Sequence, residues 1–193
     1  MINRLLIAGY KASELGIFSS KHPGVAIIKQ AVKSRLLSMQ DEGLEWVIVS
    51  GQWGVEVWAA EAAIELKQAG CGLQLAVITP FLEQEENWSD DKKDRYLHLL
   101  QQADYVNSVT KTKYAGPWQF RAKDTFLLRN SDGLLLVYDE ENEGSPKYIK
   151  ELALREGRSR DYPLLQIGAE ELQTIADEQR DAATNEYADF DDT

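Results

Sequence analysis

The sequence predicts an α/β protein of Rossmann-like, three-layer α/β/α type, built on a mostly parallel sheet of about six strands. Short β-rich apolar runs alternate with segments of helical period, the pattern of strands joined by crossover helices. Several of those runs, such as Leu134-Leu135-Leu136-Val137, are apolar at every position. Continuous apolar strands imply a sheet covered by helices on both faces. The length of 193 residues suits one domain with one core.

In chain order, the first predicted strand is residues 4–8, a short apolar run that meets Gly9. A helix follows over 25–42, then a strand over 46–49 that stops at Ser50-Gly51. The helix over 55–69 leads to a strand over 73–78, which ends against Thr79-Pro80. A helix over 90–102 opens on acids, as helix N-termini favour. Residues 105–109 form the fourth strand, 118–130 a helix, and 134–138 the fifth strand. Ser145 as a cap and Pro146 in the first position mark the start of a helix over 146–157. A strand over 164–167 and a helix over 169–177 complete the domain, residues 1–178. After Arg180 the chain is acidic, short of aliphatics and without helical period, so 179–193 reads as a flexible acidic tail.

No apolar run approaches the ~20 residues of a membrane helix, which argues against membrane insertion. The N-terminal run meets a glycine without a small-residue cleavage site and reads as a strand, not a signal peptide. Cys71 is the only cysteine and has no metal-ligand spacing around it. It reads as a small buried residue in a reducing compartment, and the expected location is the cytoplasm. The formal net charge is -11. Residues 171–193 hold eight acids and one Arg, a net of -7, which leaves -4 for residues 1–170. No Lys/Arg cluster stands out, so nucleic acid is an unlikely partner on charge alone. His22 and His98 are isolated, and no metal or Ser-His-Asp constellation can be assembled.

In an open parallel sheet, ligands lie beyond the carboxyl ends of the strands, so the residues just after each strand are the candidates. These are Gly9 and Tyr10 after the first strand, Ser50, Gly51, Gln52, Gly54 and Glu56 after the second, Thr79 and Pro80 after the third, and Gly144, Ser145 and Lys147 after the fifth. Gly51 and Gly54 would let backbone approach a ligand and leave helix N–H groups free for an anion. They complete neither the dinucleotide fingerprint nor a P-loop. A phosphate on that helix end would be repelled by Glu56, which instead suits ribose hydroxyls or a base. The phosphate candidate is therefore Gly144-Ser145-Pro146-Lys147, a helix start with a nearby lysine.

Gly9-Tyr10-Lys11, Glu14-Leu15-Gly16-Ile17-Phe18, Ser50-Gly51-Gln52-Trp53-Gly54-Val55-Glu56 and Val77-Ile78-Thr79-Pro80-Phe81 together resemble the YpsA family of Gram-positive bacteria. Ser131-Asp132-Gly133 and Glu143-Gly144-Ser145-Pro146-Lys147-Tyr148 extend the likeness over about residues 1–168. That family is similar to the SLOG superfamily, with the Lonely Guy phosphoribohydrolases and the DNA-processing protein DprA. The resemblance implies binding of a nucleotide or nucleotide-derived ligand, with Gly54 and Glu56 as ligand-contacting residues, and a part in cell division or stress response. A division-protein partner and a homo-oligomer are compatible with it, and no metal is implied. The Lonely Guy hydrolases carry Pro-Gly-Gly-x-Gly-Thr-x-x-Glu; aligning Gly144-Ser145 with its Gly-Thr puts Tyr148 where the catalytic Glu would stand. Three readings follow: a nucleotide sensor, a nucleotide N-glycosidase or phosphohydrolase using Glu56, and a DprA-like DNA binder that would need a basic face.

Overall fold

Leu5, Leu6, Ile7 and Ala8 are all buried, without the alternation of a half-exposed strand. Such a strand needs helices over both faces of its sheet. In a computed structural model of the chain, residues 1–188 are described, the last four of them by backbone alone. The strands β1 (Arg4–Gly9), β2 (Trp46–Val49), β3 (Gln74–Thr79), β4 (Tyr105–Ser108), β5 (Gly133–Val137) and β6 (Leu164–Ile167) form one sheet in the order β4-β3-β2-β1-β5-β6. Every pairing is parallel, from Thr79 beside Ser108 at one edge to Val137 beside Ile167 at the other.

The helices are α1 (Pro23–Asp41), α2 (Val55–Gln68), α3 (Asp90–Gln102), α4 (Trp118–Arg129), α5 (Pro146–Glu156) and α6 (Ala169–Ala188). α1 packs on α2 and α6, α2 packs on α3, and α4 packs on α5. Right-handed crossovers account for this division, because connections running outward from β1 to β4 and those running back must lie on opposite faces. The order reverses between β1 and β5, whose ends meet at Gly9 and Val137. A crevice opens at such a reversal.

One helix departs from expectation. α6 continues to Ala188, so most of the segment read as a tail is helical, and only residues 189–193 lie outside the described residues. The apolar period that predicts this helix ends at 177. Beyond that point Ala182 and Ala183 favour helix intrinsically. Asp177 accepts from Gln173 and Arg180, each at 2.9 Å, and the Thr184 hydroxyl donates to the Arg180 carbonyl at 2.9 Å. A solvent-facing helix can be held by such bonds without an apolar stripe. Cys71 is half-buried instead of buried, with its thiol 2.7 Å from the Gln40 side-chain oxygen. His22 caps α1, its Nδ1 accepting from the Gly24 amide at 3.0 Å. Among the described residues, no helix is long and apolar enough to cross a membrane.

Candidate ligand-binding site

Gly54 precedes α2 at φ 139°, a region closed to ordinary side chains. An added Cβ would stand 2.5 Å from the Ala12 nitrogen and the Tyr10 carbonyl oxygen. Without it, the start of α2 docks directly on the loop after β1. The Val55 amide donates to the Tyr10 carbonyl and the Ala12 amide to the Trp53 carbonyl, both at 3.1 Å. Gly9 makes the complementary room, since a Cβ there would strike the Val55 side chain at 2.5 Å. The Val55 amide, expected from sequence to await an anion, is thus used inside the protein.

Glu56 is not a solvated helix-end charge. It is 5% exposed, and its Oε2 accepts from the Ser50 amide at 2.7 Å and the Ser50 hydroxyl at 2.5 Å. Burial pushes its carboxyl above the usual carboxylate range, with Asp124 adding to the rise, against the opposing pull of Lys123 and the two Ser50 bonds. The neighbouring turn is held by Gln84, whose amide donates to the Ser50 carbonyl at 3.0 Å and to the Tyr96 hydroxyl at 2.7 Å. Gly51, at φ 76°, keeps clear of both.

Beyond these strand ends lie two neighbouring chambers. The outer one, about 310 Å³, is lined by Lys11, Lys92 and Lys123 and by the aromatic rings of Phe18, Trp53, Phe81, Trp88 and Phe120, with no Asp or Glu on its wall. The inner one, about 240 Å³, is lined by Gly9, Glu56, Lys123, Asp124, Ser145 and Tyr148. Lys11, Gln52, Phe120 and Lys123 line both, so the two form one cleft. Aromatic edges meet around it: Phe81 lies 5.3 Å from Tyr114 and 5.6 Å from Phe120 between ring centres, and Lys92 lies 5.6 Å from the Trp53 ring.

The candidates divide by role. Ser50, Gln52 and Pro80 line the outer chamber, and Gly9, Gln52, Glu56 and Ser145 the inner one. Thr79 is spent on its own turn, its hydroxyl donating to the Phe81 carbonyl at 3.0 Å and meeting the Ser108 hydroxyl at 2.7 Å. The Tyr10 hydroxyl donates to the Asn142 carbonyl at 2.5 Å and accepts from the Asp139 amide at 2.9 Å, which pins the loop between β5 and α5. Tyr10 faces a separate cavity of about 450 Å³ beside β6.

The expected phosphate position at the start of α5 is filled by the protein itself. Glu14 accepts from the Ser145 amide and hydroxyl, each at 2.7 Å, and from the Lys11 amide at 2.7 Å. Burial alone would push the Glu14 carboxyl up, but these bonds outweigh it and hold it below the usual range. Ser145 has helical backbone angles and makes no capping bond, because its hydroxyl serves Glu14. A Cβ on Gly144 would crowd both Glu14 and Tyr10 at 3.0 Å. Lys147 pairs with Glu143 at 2.8 Å and lines neither chamber.

The helix over 118–130 is predicted from sequence, but none of its residues is among the predicted site residues. Phe120, Lys123 and Asp124 reach the cleft because α4 returns from β4 at the sheet edge to β5 and crosses the crevice on the way. The only available signal was topological: the connection after β4 had to pass back over the strand ends. Asp124 Oδ1 is buried, and its partner among the described residues is the Lys123 ammonium, 2.5 Å away. The charge argument against nucleic acid also loses its force here. Net charge is a global sum, whereas the outer chamber is locally basic and aromatic.

A family model, YpsA, described as the YspA SLOG family, matches residues 5–172. The chain belongs to that family. It is similar to a UPF0398 protein of Brevibacillus brevis, 56% identical over 186 residues, covering 96% of this chain and 99% of the relative. A UPF0398 protein of Lysinibacillus sphaericus is 58% identical over 173 residues, covering 90% and 97% respectively. Among solved structures, DNA processing protein A from Helicobacter pylori, described with its single-stranded DNA binding mode, aligns with a TM-score of 0.52. The alignment covers 92% of this chain and 80% of that one at 13% identity, a likeness of fold. The SLOG membership fits the all-parallel α/β sheet described above.

Proposed function

We propose that this protein binds a nucleotide or nucleotide-derived small molecule in the cleft beyond β1, β2 and β3, and acts as a sensor whose bound state alters its association with a protein partner in cell division or stress response. One observation carries the binding part: in a chain of net charge -11, the outer chamber presents three lysines and five aromatic rings and no carboxylate. Aromatic faces suit a flat base, and ammonium groups suit phosphate. Glu56 in the adjoining chamber suits sugar hydroxyls. The sensor part rests on Glu14 and Tyr10, which tie the cleft-lining loops after β1 and β5 together, so that a ligand moving either loop would move both. Calorimetry with the common nucleoside 5′-monophosphates, the matching nucleosides and a short single-stranded oligonucleotide tests this. Binding of a monophosphate that is lost in Lys123→Ala supports the reading; binding of the oligonucleotide alone would replace it with a nucleic-acid role.

A second reading, N-glycosidic hydrolysis of a nucleotide, is favoured by Glu56 itself. A buried carboxyl with raised proton affinity at a chamber wall suits a general acid. Release of free base from a nucleoside monophosphate, abolished in Glu56→Gln, would decide for it.

A further inference from the structure

A groove on the outward face of α4 lies apart from the nucleotide cleft and is independent of the reading above. We propose that it is an interface between copies of the chain, and that it takes residues 186–193 of a second copy.

Arg121, Thr125 and Arg129 recur at four-residue intervals, so they share one face of α4. With Ala122 and Phe126 they wall a shallow groove of about 400 Å³ that has no Asp or Glu on it. Phe126 is 42% exposed, although an aromatic ring gains much from burial. Arg4, Arg35, Arg95, Arg160 and Arg180 each hold a carboxylate, but Arg121 and Arg129 hold none among the described residues. In a chain of net charge -11, two cations without a counter-ion border an exposed aromatic ring. That arrangement fits an acidic segment with an aromatic side chain, and arginine beside aromatic rings is the composition of binding hot spots.

The chain carries such a segment. Residues 186–193 read Glu-Tyr-Ala-Asp-Phe-Asp-Asp-Thr, with four acids, two aromatic rings and no Lys or Arg. The placement of α6 decides which copy supplies it. α6 packs on α1, on the face of the sheet opposite α4, and follows β6 at the edge farthest from β4. The groove borders Val109, just past β4. Every residue from Asp177 to Thr184 is exposed, so these turns of α6 have no side packed into their own fold. A polar helix bare on all sides suits a bridge between bodies. The second copy therefore supplies the segment, its carboxylates meeting Arg121 and Arg129 while Phe190 covers Phe126.

Sedimentation equilibrium of the full chain tests this, in the wild type and in two charge-reversed variants. Arg121→Glu with Arg129→Glu reverses the groove, and Asp191→Arg with Asp192→Arg reverses the segment. The wild type should self-associate, and less so at high salt, since exposed ion pairs are screened. Phe190→Ala should weaken that association by about tenfold or more. Each reversed variant alone should be monomeric, because like charges then face each other. An equimolar mixture of the two should associate again, the acidic groove of one taking the basic segment of the other. That recovery requires both variants to be folded, so misfolding cannot imitate it. A wild type that stays monomeric up to about 1 mM overturns the proposal, and so does self-association that survives in either reversed variant. Variants that stay monomeric on mixing overturn the pairing of this groove with this segment. None of these outcomes bears on the nucleotide reading, which stands or falls by its own titration.

Discussion

The carboxylate of Glu14 sits on Ser145 at the head of α5, where it accepts both the amide and the hydroxyl at 2.7 Å, although the two residues are 131 positions apart. A helix N-terminus attracts anions, and here the anion belongs to the chain. The third bond to this carboxylate, from the Lys11 amide, makes Glu14 the tie between the loop after β1 and the start of α5.

Glu14→Ala should therefore lower stability by about 1–2 kcal/mol, toward the low end of what charged hydrogen bonds contribute, because the site is partly exposed to solvent. Chemical denaturation measures the loss. The same variant vacates the head of α5, so inorganic phosphate should bind there and raise the melting temperature more than it does in the wild type. A variant as stable as the wild type would show that the tie carries no energy.

Lys147→Ala should leave phosphate affinity unchanged. Its ammonium is paired with Glu143 outside both chambers, and Glu14 already fills the position that the sequence offered for phosphate. Calorimetry on this variant and on Lys123→Ala should separate the two lysines, with the loss confined to Lys123.

Acid should loosen the fold through its depressed carboxylates, which are Glu14, Glu65, Asp104 and Asp132. Asp132, hydrogen-bonded by Arg4, and Glu14 both titrate below their usual ranges in the folded chain. A folded pKa below the unfolded one gives stability that is present above the unfolded value, about 3.9 for Asp and 4.3 for Glu, and is lost as pH falls through the folded value. Melting temperatures should drop between about pH 4 and the folded values, and Glu14→Gln should flatten part of that fall.

Gly54→Ala should destabilise the fold by about 3 kcal/mol or more. It imposes an unfavourable positive φ, and the new Cβ meets backbone atoms of Tyr10 and Ala12 that have nowhere to move. Circular dichroism melts of the variant test this directly.

The sheet and five of the helices were legible because their signals are local: continuous apolar runs, and glycines at the strand ends. The strand over 46–49 and the helix over 90–102 coincide with β2 and α3. What the sequence could not disclose depended on long-range placement. Nothing near Glu14 says that its partner is Ser145, and nothing near Asp124 says that α4 crosses the crevice. The solvent-facing end of α6 was missed for a different reason, since helix held by propensity and local polar bonds leaves no apolar period.

Glu56 joins these strands of reasoning. Glu56→Gln should keep the fold, because one amide oxygen can accept both Ser50 donors as Oε2 does now. Its effect on stability should depend on pH with a definite sign. A carboxyl whose folded pKa is raised contributes stability that is full below its unfolded value, about 4.3, and is lost as pH rises through the folded value. Glutamine has no charge to bury, so the variant should gain on the wild type as pH rises through that window. Ligand affinity should move the other way, since the amide replaces an acceptor facing the inner chamber with a donor, and a ribonucleotide should bind more weakly at every pH. Melting temperature and affinity measured on this variant across pH 4 to 8 separate the burial cost of the carboxylate from its use. If affinity for every ribonucleotide stays unchanged while the stability difference follows the expected sign, Glu56 is a buried acid that holds Ser50 and takes no part in binding.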